Sequence, residues 1–175
     1  MILYIGFMKF TILAFVTLFL FAGCKKDKNQ QTPTYQVLFN VDGTQQTFIP
    51  RLTSVQPNAT MTGKTDFMFV AASKDQKDNF AITIQVSGDF KAGSYSSGNT
   101  NYTVIADYFK NLGETNEKDY TIDNAPSMPN STFTVNITEV SASLIKGSFT
   151  GNYLYDRLAK ESKVINEGNF TLKLH

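Results

Sequence analysis

The feature that most constrains this chain is the alternation from Asn79 to Val86. Phe80, Ile82, Ile84 and Val86 fall on one side, and Ala81, Thr83 and Gln85 fall on the other. Successive side chains of an extended backbone point to opposite faces, so a period of two marks a strand with one buried and one wetter face. The same period runs through Val37, Phe39 and Val41, through Tyr102, Val104, Ala106 and Tyr108, and through Phe133, Val135 and Ile137, which alternate with Thr134, Asn136 and Thr138. No stretch of this part of the chain sustains a helical period, and no unit recurs at a spacing of roughly 20 to 50 residues.

The turns divide these runs into strands. Asp42-Gly43 between Val41 and Thr44 supplies the positive φ angles of a two-residue hairpin, with Thr44 to Ile49 as the returning strand. Pro50 and Pro57 bracket a segment through Leu52 and Val55 that must be an edge strand or a loop, because proline donates nothing to a ladder. Asp66 to Ser73 is apolar on both faces and reads as a central strand, followed by a turn over Lys74 to Asp78. Ala92 to Tyr95 enters a short strand or turn, Asn111 to Lys118 is a polar loop, and Asp123 to Asn130, with two prolines, is a long break between sheets or ends. Leu144 to Tyr155 and Lys163 to Leu174 form the last two strands, and Arg157 to Ser162 between them is one helical turn or a long hairpin loop. The expected fold is all-β: an antiparallel β-sandwich, or alternatively a closed β-barrel, of roughly eight to ten strands.

The start of the chain has a different character. Lys9 precedes an apolar run from Phe10 to Ala22, broken only by Thr11 and Thr17 and followed by Gly23, which is the positive, apolar, small-residue order of a secretory signal. Crossing a bilayer takes about 20 consecutive apolar residues, and Lys9 interrupts the run that Met1 would begin. We therefore read Met8 as the start in preference to Met1. Phe21-Ala22-Gly23-Cys24 resembles the lipobox of bacterial lipoproteins, with Phe21 in the place usually held by Leu. That resemblance implies cleavage between Gly23 and Cys24 and lipidation of the Cys24 sulfur. The alternatives are a plain signal peptide that leaves Cys24 as a thiol, and an uncleaved N-terminal anchor helix. Cys24 is the only cysteine, so no disulfide forms within the chain.

The organisation that follows is a lipoprotein signal peptide over residues 1–23, a flexible tether over 24–34, and a single β domain over 35–175. Gly147-Ser148-Phe149 and Gly168-x-Phe170, together with Val41-Asp42-Gly43 and Cys24, resemble small uncharacterised lipoproteins of the Bacteroidota. The resemblance implies an outer-membrane lipoprotein of the cell envelope, held to the membrane through acylated Cys24 and facing either the periplasm or the cell surface. Asp27 stands alone among Lys25, Lys26 and Lys28, so no acidic cluster selects between those two topologies.

Composition narrows the chemistry. The chain has 16 basic and 15 acidic residues, and its signal contains Lys9 alone, so the remainder is formally neutral and lacks the basic surplus that nucleic acid requires. His175, the sole histidine, sits at the chain end, where nothing orients a general base, and one histidine with one cysteine is too few for zinc. Carboxylates remain: Asp75 with Asp78, Glu114 with Glu117 and Asp119, and Asp119 with Asp123. They read as solvated loop charges first. With Asn79 or Asn124 they would offer oxygen ligands to calcium, and a converging pair would serve glycoside hydrolysis. Among the tyrosines, Tyr102 and Tyr108 share parity with Val104 and Ala106 and belong to the core, as the parity of Tyr153 and Tyr155 with Phe149 also suggests for that pair. Tyr95, Tyr120, Tyr153 and Tyr155 are the candidate ligand contacts, since a ring face stacks on the C–H surface of a sugar. The expectation is a non-catalytic binding or structural domain without a cofactor, its partner a glycan or an envelope protein and its oligomeric state open. A glycan- or surface-ligand module is the alternative and a carboxylate-dependent hydrolase the remote one.

Overall fold

The structure is a computed structural model that describes residues 34–122, 132–156, 158 and 160–174, Tyr153 by its backbone alone. The signal, Cys24, the tether to residue 33, the proline-rich break and His175 lie outside the described residues. Ten strands follow in order: β1 (Gln36–Val41), β2 (Thr44–Pro57), β3 (Lys64–Ala72), β4 (Asn79–Ser87), β5 (Gly93–Ser96), β6 (Tyr102–Lys110), β7 (Lys118–Ile122), β8 (Thr132–Val140), β9 (Leu144–Asp156) and β10 (Glu161–Lys173). All pair antiparallel, in the order β10-β1-β2-β3-β4-β6-β7-β9-β8-β5. The fold is thus all-β, and its sheet faces pack on one another as in a sandwich.

Pairing also continues around one side. The long β9 pairs with β10 along most of its length, with β8 over residues 145–152, and with β7 at Thr121↔Tyr155. Two ends result. One holds the start of β1 and the connections at 58–63, 88–92, 97–101 and 141–143. The other holds the Asp42-Gly43 turn, the loops at 73–78 and 111–117, and the β9–β10 hairpin. We call them the tether end and the hairpin end.

Local sequence accounts for each feature. Asp42 (φ 49°) and Gly43 (φ 80°) form the expected tight turn. Phe80, Ile82, Ile84 and Val86 are all buried, as their alternation requires. Residues 44–48 of β2 pair with β1, while 49–57 pair with β3, and the register shifts between Pro50 and Leu52. Both prolines therefore sit where β2 is a one-sided ladder, the edge placement that their missing N–H demands. Asp156 pairs with Glu161, so β9 and β10 are consecutive antiparallel partners, and residues 157 and 159 between them lie outside the described residues.

The interior is filled with phenylalanine. Nine Phe side chains are buried, and rings from opposite walls meet: Phe39 and Phe80 at 4.7 Å between centroids, Phe80 and Phe149 at 4.9 Å, Phe69 and Phe170 at 5.3 Å. Three rings lie across the strand ladder from a glycine: Phe133 opposite Gly151, Phe149 opposite Gly168 and Phe170 opposite Gly147. A Cβ at any of these glycines would fall inside the van der Waals surface of the facing ring. The missing side chain is what admits the ring, and each ring in turn covers backbone that glycine would leave bare.

Adding one methyl group here overpacks the core. Gly168→Ala is expected to destabilise the fold by about 1–3 kcal/mol, seen as a lower urea midpoint with unchanged slope. Adding Phe149→Leu should cost less than the sum of the two single changes, because the smaller side chain relieves the clash. Strict additivity would refute the packing argument.

Candidate functional site

Because the interior is occupied by side chains, ligand chemistry is confined to the outer faces and the two ends. The hairpin end is a closed polar network. Lys163 Nζ donates to Asp42 Oδ2 (2.8 Å), and Val164 N–H donates to Asp42 Oδ1 (3.0 Å), so the first turn is clamped to β10. Burial works against the Asp42 charge, but these two hydrogen bonds and the Lys163 charge outweigh it and hold the carboxyl below its ordinary value. Tyr108 donates to Asp78 (3.1 Å), which also accepts Asn111 N–H (3.0 Å). Glu161 accepts from Tyr120 (2.9 Å) and from Lys118 (2.7 Å).

This network absorbs most of the carboxylates singled out from sequence. Asp75 accepts from Ser73 Oγ (2.6 Å) and Lys77 N–H (3.3 Å) within its own turn. Glu114 accepts from Lys77 Nζ (3.3 Å), and Glu117 from Gly113 N–H (2.6 Å). They brace loops instead of converging, and among the described residues no group of three or more His, Cys, Asp or Glu side chains is placed to hold a metal. Asp123 and Asn124 lie outside the described residues. Asp119 differs from the rest: burial, then the charges of Asp107, Asp156 and Glu117, raise its pKa.

The tyrosines separate sharply. Tyr120 is 1 % exposed, so its ring has no free face for a ligand, which corrects the expectation that it contacts one. The cause is parity: Tyr120 and Ile122 share the inward face of β7. Tyr155 is half-exposed while Leu154 and Asp156 on either side are buried, so the shared parity with Phe149 fails. Between Gly151 and Leu154 the β9–β10 register slips, and an extra residue on one strand reverses which side chains face in. The side chain of Tyr153 lies outside the described residues.

Tyr95 lines a cleft. It stands at the tether end with Tyr102, and the cleft of ≈ 520 Å³ is bounded further by Lys64, Ser87, Lys91 and Asn101. The tyrosine wall is rigid. Tyr95 stacks on Phe90 (5.6 Å, 19°), Phe90 stacks on the core ring Phe67 (4.6 Å, 15°), and Tyr102 meets Tyr95 edge to face at 5.3 Å. The Tyr95 hydroxyl donates to Lys91 O (2.7 Å), and the Tyr102 hydroxyl accepts Ser96 N–H (3.1 Å). A second concavity of ≈ 330 Å³ crosses the outer face of β1, β9 and β10, but it has no exposed ring, and its Lys146 is bonded to Glu139 at 2.9 Å. Sequence reasoning missed Lys64, Lys91 and Asn101, because they converge through loops far apart in the chain, and only the topology brings them together.

No protein-family model, curated protein or solved structure matches this chain.

The raised pKa of Asp119 has a signed consequence. A carboxyl that titrates higher folded than unfolded adds stability while protonated and loses it as pH rises from the unfolded value of about 3.9 through the folded one. Asp119→Asn should therefore raise the melting temperature at pH 7, and the gain should vanish below about pH 3. A gain independent of pH, in melting curves across that range, would show that electrostatics is not the cause.

Proposed function

We propose that this chain is a lipid-anchored protein of the bacterial cell envelope whose β domain binds a ligand and performs no catalysis. The observation that carries the binding reading is the contrast between a core packed solid with rings and the rigid tyrosine-lined cleft left open at the tether end. A preformed wall with its hydroxyls already engaged presents apolar surface at little entropic cost, which suits recognition. Asp75, Glu114 and Glu117 are occupied in bracing turns, and this weighs against the hydrolase reading for those carboxylates.

The anchor rests on the sequence Phe21-Ala22-Gly23-Cys24, with acyl chains on Cys24 each adding about 0.8 kcal/mol of membrane affinity per buried CH₂. β1 begins at Gln36, so eleven residues separate Cys24 from the sheet. At about 3.3–3.6 Å per extended residue the chain from Cys24 to Gln36 reaches at most about 43 Å. Between a glycan and another surface ligand, the exposed tyrosine wall favours the glycan.

Intact mass of the protein from the membrane fraction decides the anchor. The expected mass is that of Cys24 to His175 plus acyl chains, with Cys24→Ala left unprocessed and without them. An unmodified chain recovered in soluble form overturns the anchor and leaves the domain an exported binding module.

A further inference from the structure

We infer that the cleft at the tether end is a binding site for an acidic saccharide, one that carries a carboxylate on a pyranose ring. The inference rests on the reading of the domain as a binding module and is independent of the acylation of Cys24.

The site separates two kinds of contact. Its wall is aromatic: Tyr95 and Tyr102 are both partly exposed, Tyr95 is backed by Phe90, Tyr102 packs edge to face against Tyr95, and each hydroxyl is hydrogen-bonded to backbone. Such a wall offers a sugar ring a C–H-packing surface and offers little polar recognition of its own. Polar recognition falls to the rim, where the Asn101 amide and the Ser87 hydroxyl match sugar hydroxyls and where two lysines, Lys64 and Lys91, stand with one carboxylate, Asp89.

The cations are accessible to a ligand. Lys91 pairs with Asp89 at 3.8 Å, with the two side chains 76 % and 86 % exposed, and an exposed pair of that length contributes about 0–1 kcal/mol. Lys64 donates only to a hydroxyl, that of Ser87 at 2.8 Å, so its charge is unneutralised within the site. The rim therefore carries a net positive charge, two lysines against one aspartate, on a domain whose residues 35–175 hold 12 basic and 14 acidic side chains, which selects an anion. The breadth of the cleft, ≈ 520 Å³, lies within the usual range of about 300–1,000 Å³ for ligand sites, and its open form leaves room for a chain of sugars to continue past it.

The test is calorimetric titration of the full-length protein in detergent with tetragalacturonate, with maltotetraose as the neutral probe, inorganic phosphate as the bare anion, and phosphatidylglycerol vesicles as the lipid anion. Saturable binding of tetragalacturonate is expected, weakened by added salt and by about tenfold or more in the Lys64→Met/Lys91→Met double variant. Lys77→Met at the opposite end should leave it unchanged, and both variants should melt as the wild type does. Equal affinity for maltotetraose would make the site a neutral-sugar site, equal affinity for phosphate a bare anion site, and binding to vesicles alone a lipid contact, and each of these overturns the inference. So does the absence of saturable tetragalacturonate binding. Because Cys24→Ala tests the anchor separately and is titrated alongside, loss of acylation and loss of saccharide binding are read as different failures.

Discussion

The packing of three phenylalanine rings onto three cross-strand glycines is the constraint on which the rest of the domain depends. A sheet that curls until its faces meet must fill the space between them, and with no tryptophan in the chain that volume is supplied by Phe. At three places the ring fits because the facing position lacks a side chain. Gly147, Gly151 and Gly168 create those positions on β9 and β10, the pair whose ladder joins the two sides of the sheet. Phe133, Phe149 and Phe170 then run as a nearly parallel series, at 5.8 and 6.2 Å with interplanar angles of 24° and 23°. Pairs of this geometry contribute about 0.5–1.5 kcal/mol each beyond the area they bury. The Gly-Ser-Phe and Gly-x-Phe pattern thus has a physical role: it is how one hairpin closes a core.

A solid core dictates what the two ends are for. At the hairpin end, polar side chains are spent on each other. Asp42 ties the first turn to β10, Asp78 ties the 73–78 loop to β6 and to the backbone of Asn111, and Glu161 gathers Tyr120 and Lys118. Burial, then Asp78, pushes the Tyr108 hydroxyl well above its ordinary pKa, and burial, then Glu161, does the same to Tyr120, so both remain neutral donors throughout the physiological range. That end is built for rigidity. The tether end combines the Phe67–Phe90–Tyr95 stack with an Asn58-capped turn, and Lys64, Lys91 and Asn101 line its cleft. The division explains why a domain with more acidic than basic residues still presents a cationic rim.

Much of this architecture was legible in the order of residues. The alternation of Asn79 to Val86 placed β4 and its buried face correctly because both of its edges are paired, to β3 and β6, without a slip. The Asp42-Gly43 turn was legible for a local reason, since few other residue pairs accept two positive φ angles in succession. Tyr155 was misplaced because a bulge is a property of two strands together, and the register slip on β9 has no signature within the strand itself. Tyr120 failed differently. Its strand, Lys118–Ile122, is too short for alternation to identify an inward face, and Ile122 alone marked it. The cleft was least legible of all. Lys64, Lys91 and Tyr102 enter from three different connections, and they meet only because antiparallel order brings every second turn to the same end.

That same order bears on the relation between anchor and site. In an antiparallel ring the end where the first strand begins also receives the turns after β2, β4 and β8, so the cleft opens at the end from which the tether leaves. Between Cys24 and the start of β1 the chain has eleven residues, whose extended reach is at most about 43 Å. Under the proposed anchoring, a ligand attached to the same envelope would meet the site as a confined partner. Confinement of that kind raises the effective concentration of a surface-bound ligand without any new contact. A site whose individual contacts are few and exposed, as these are, then needs only modest intrinsic affinity, and its selectivity rests on the match between two ammonium groups and an acidic ring.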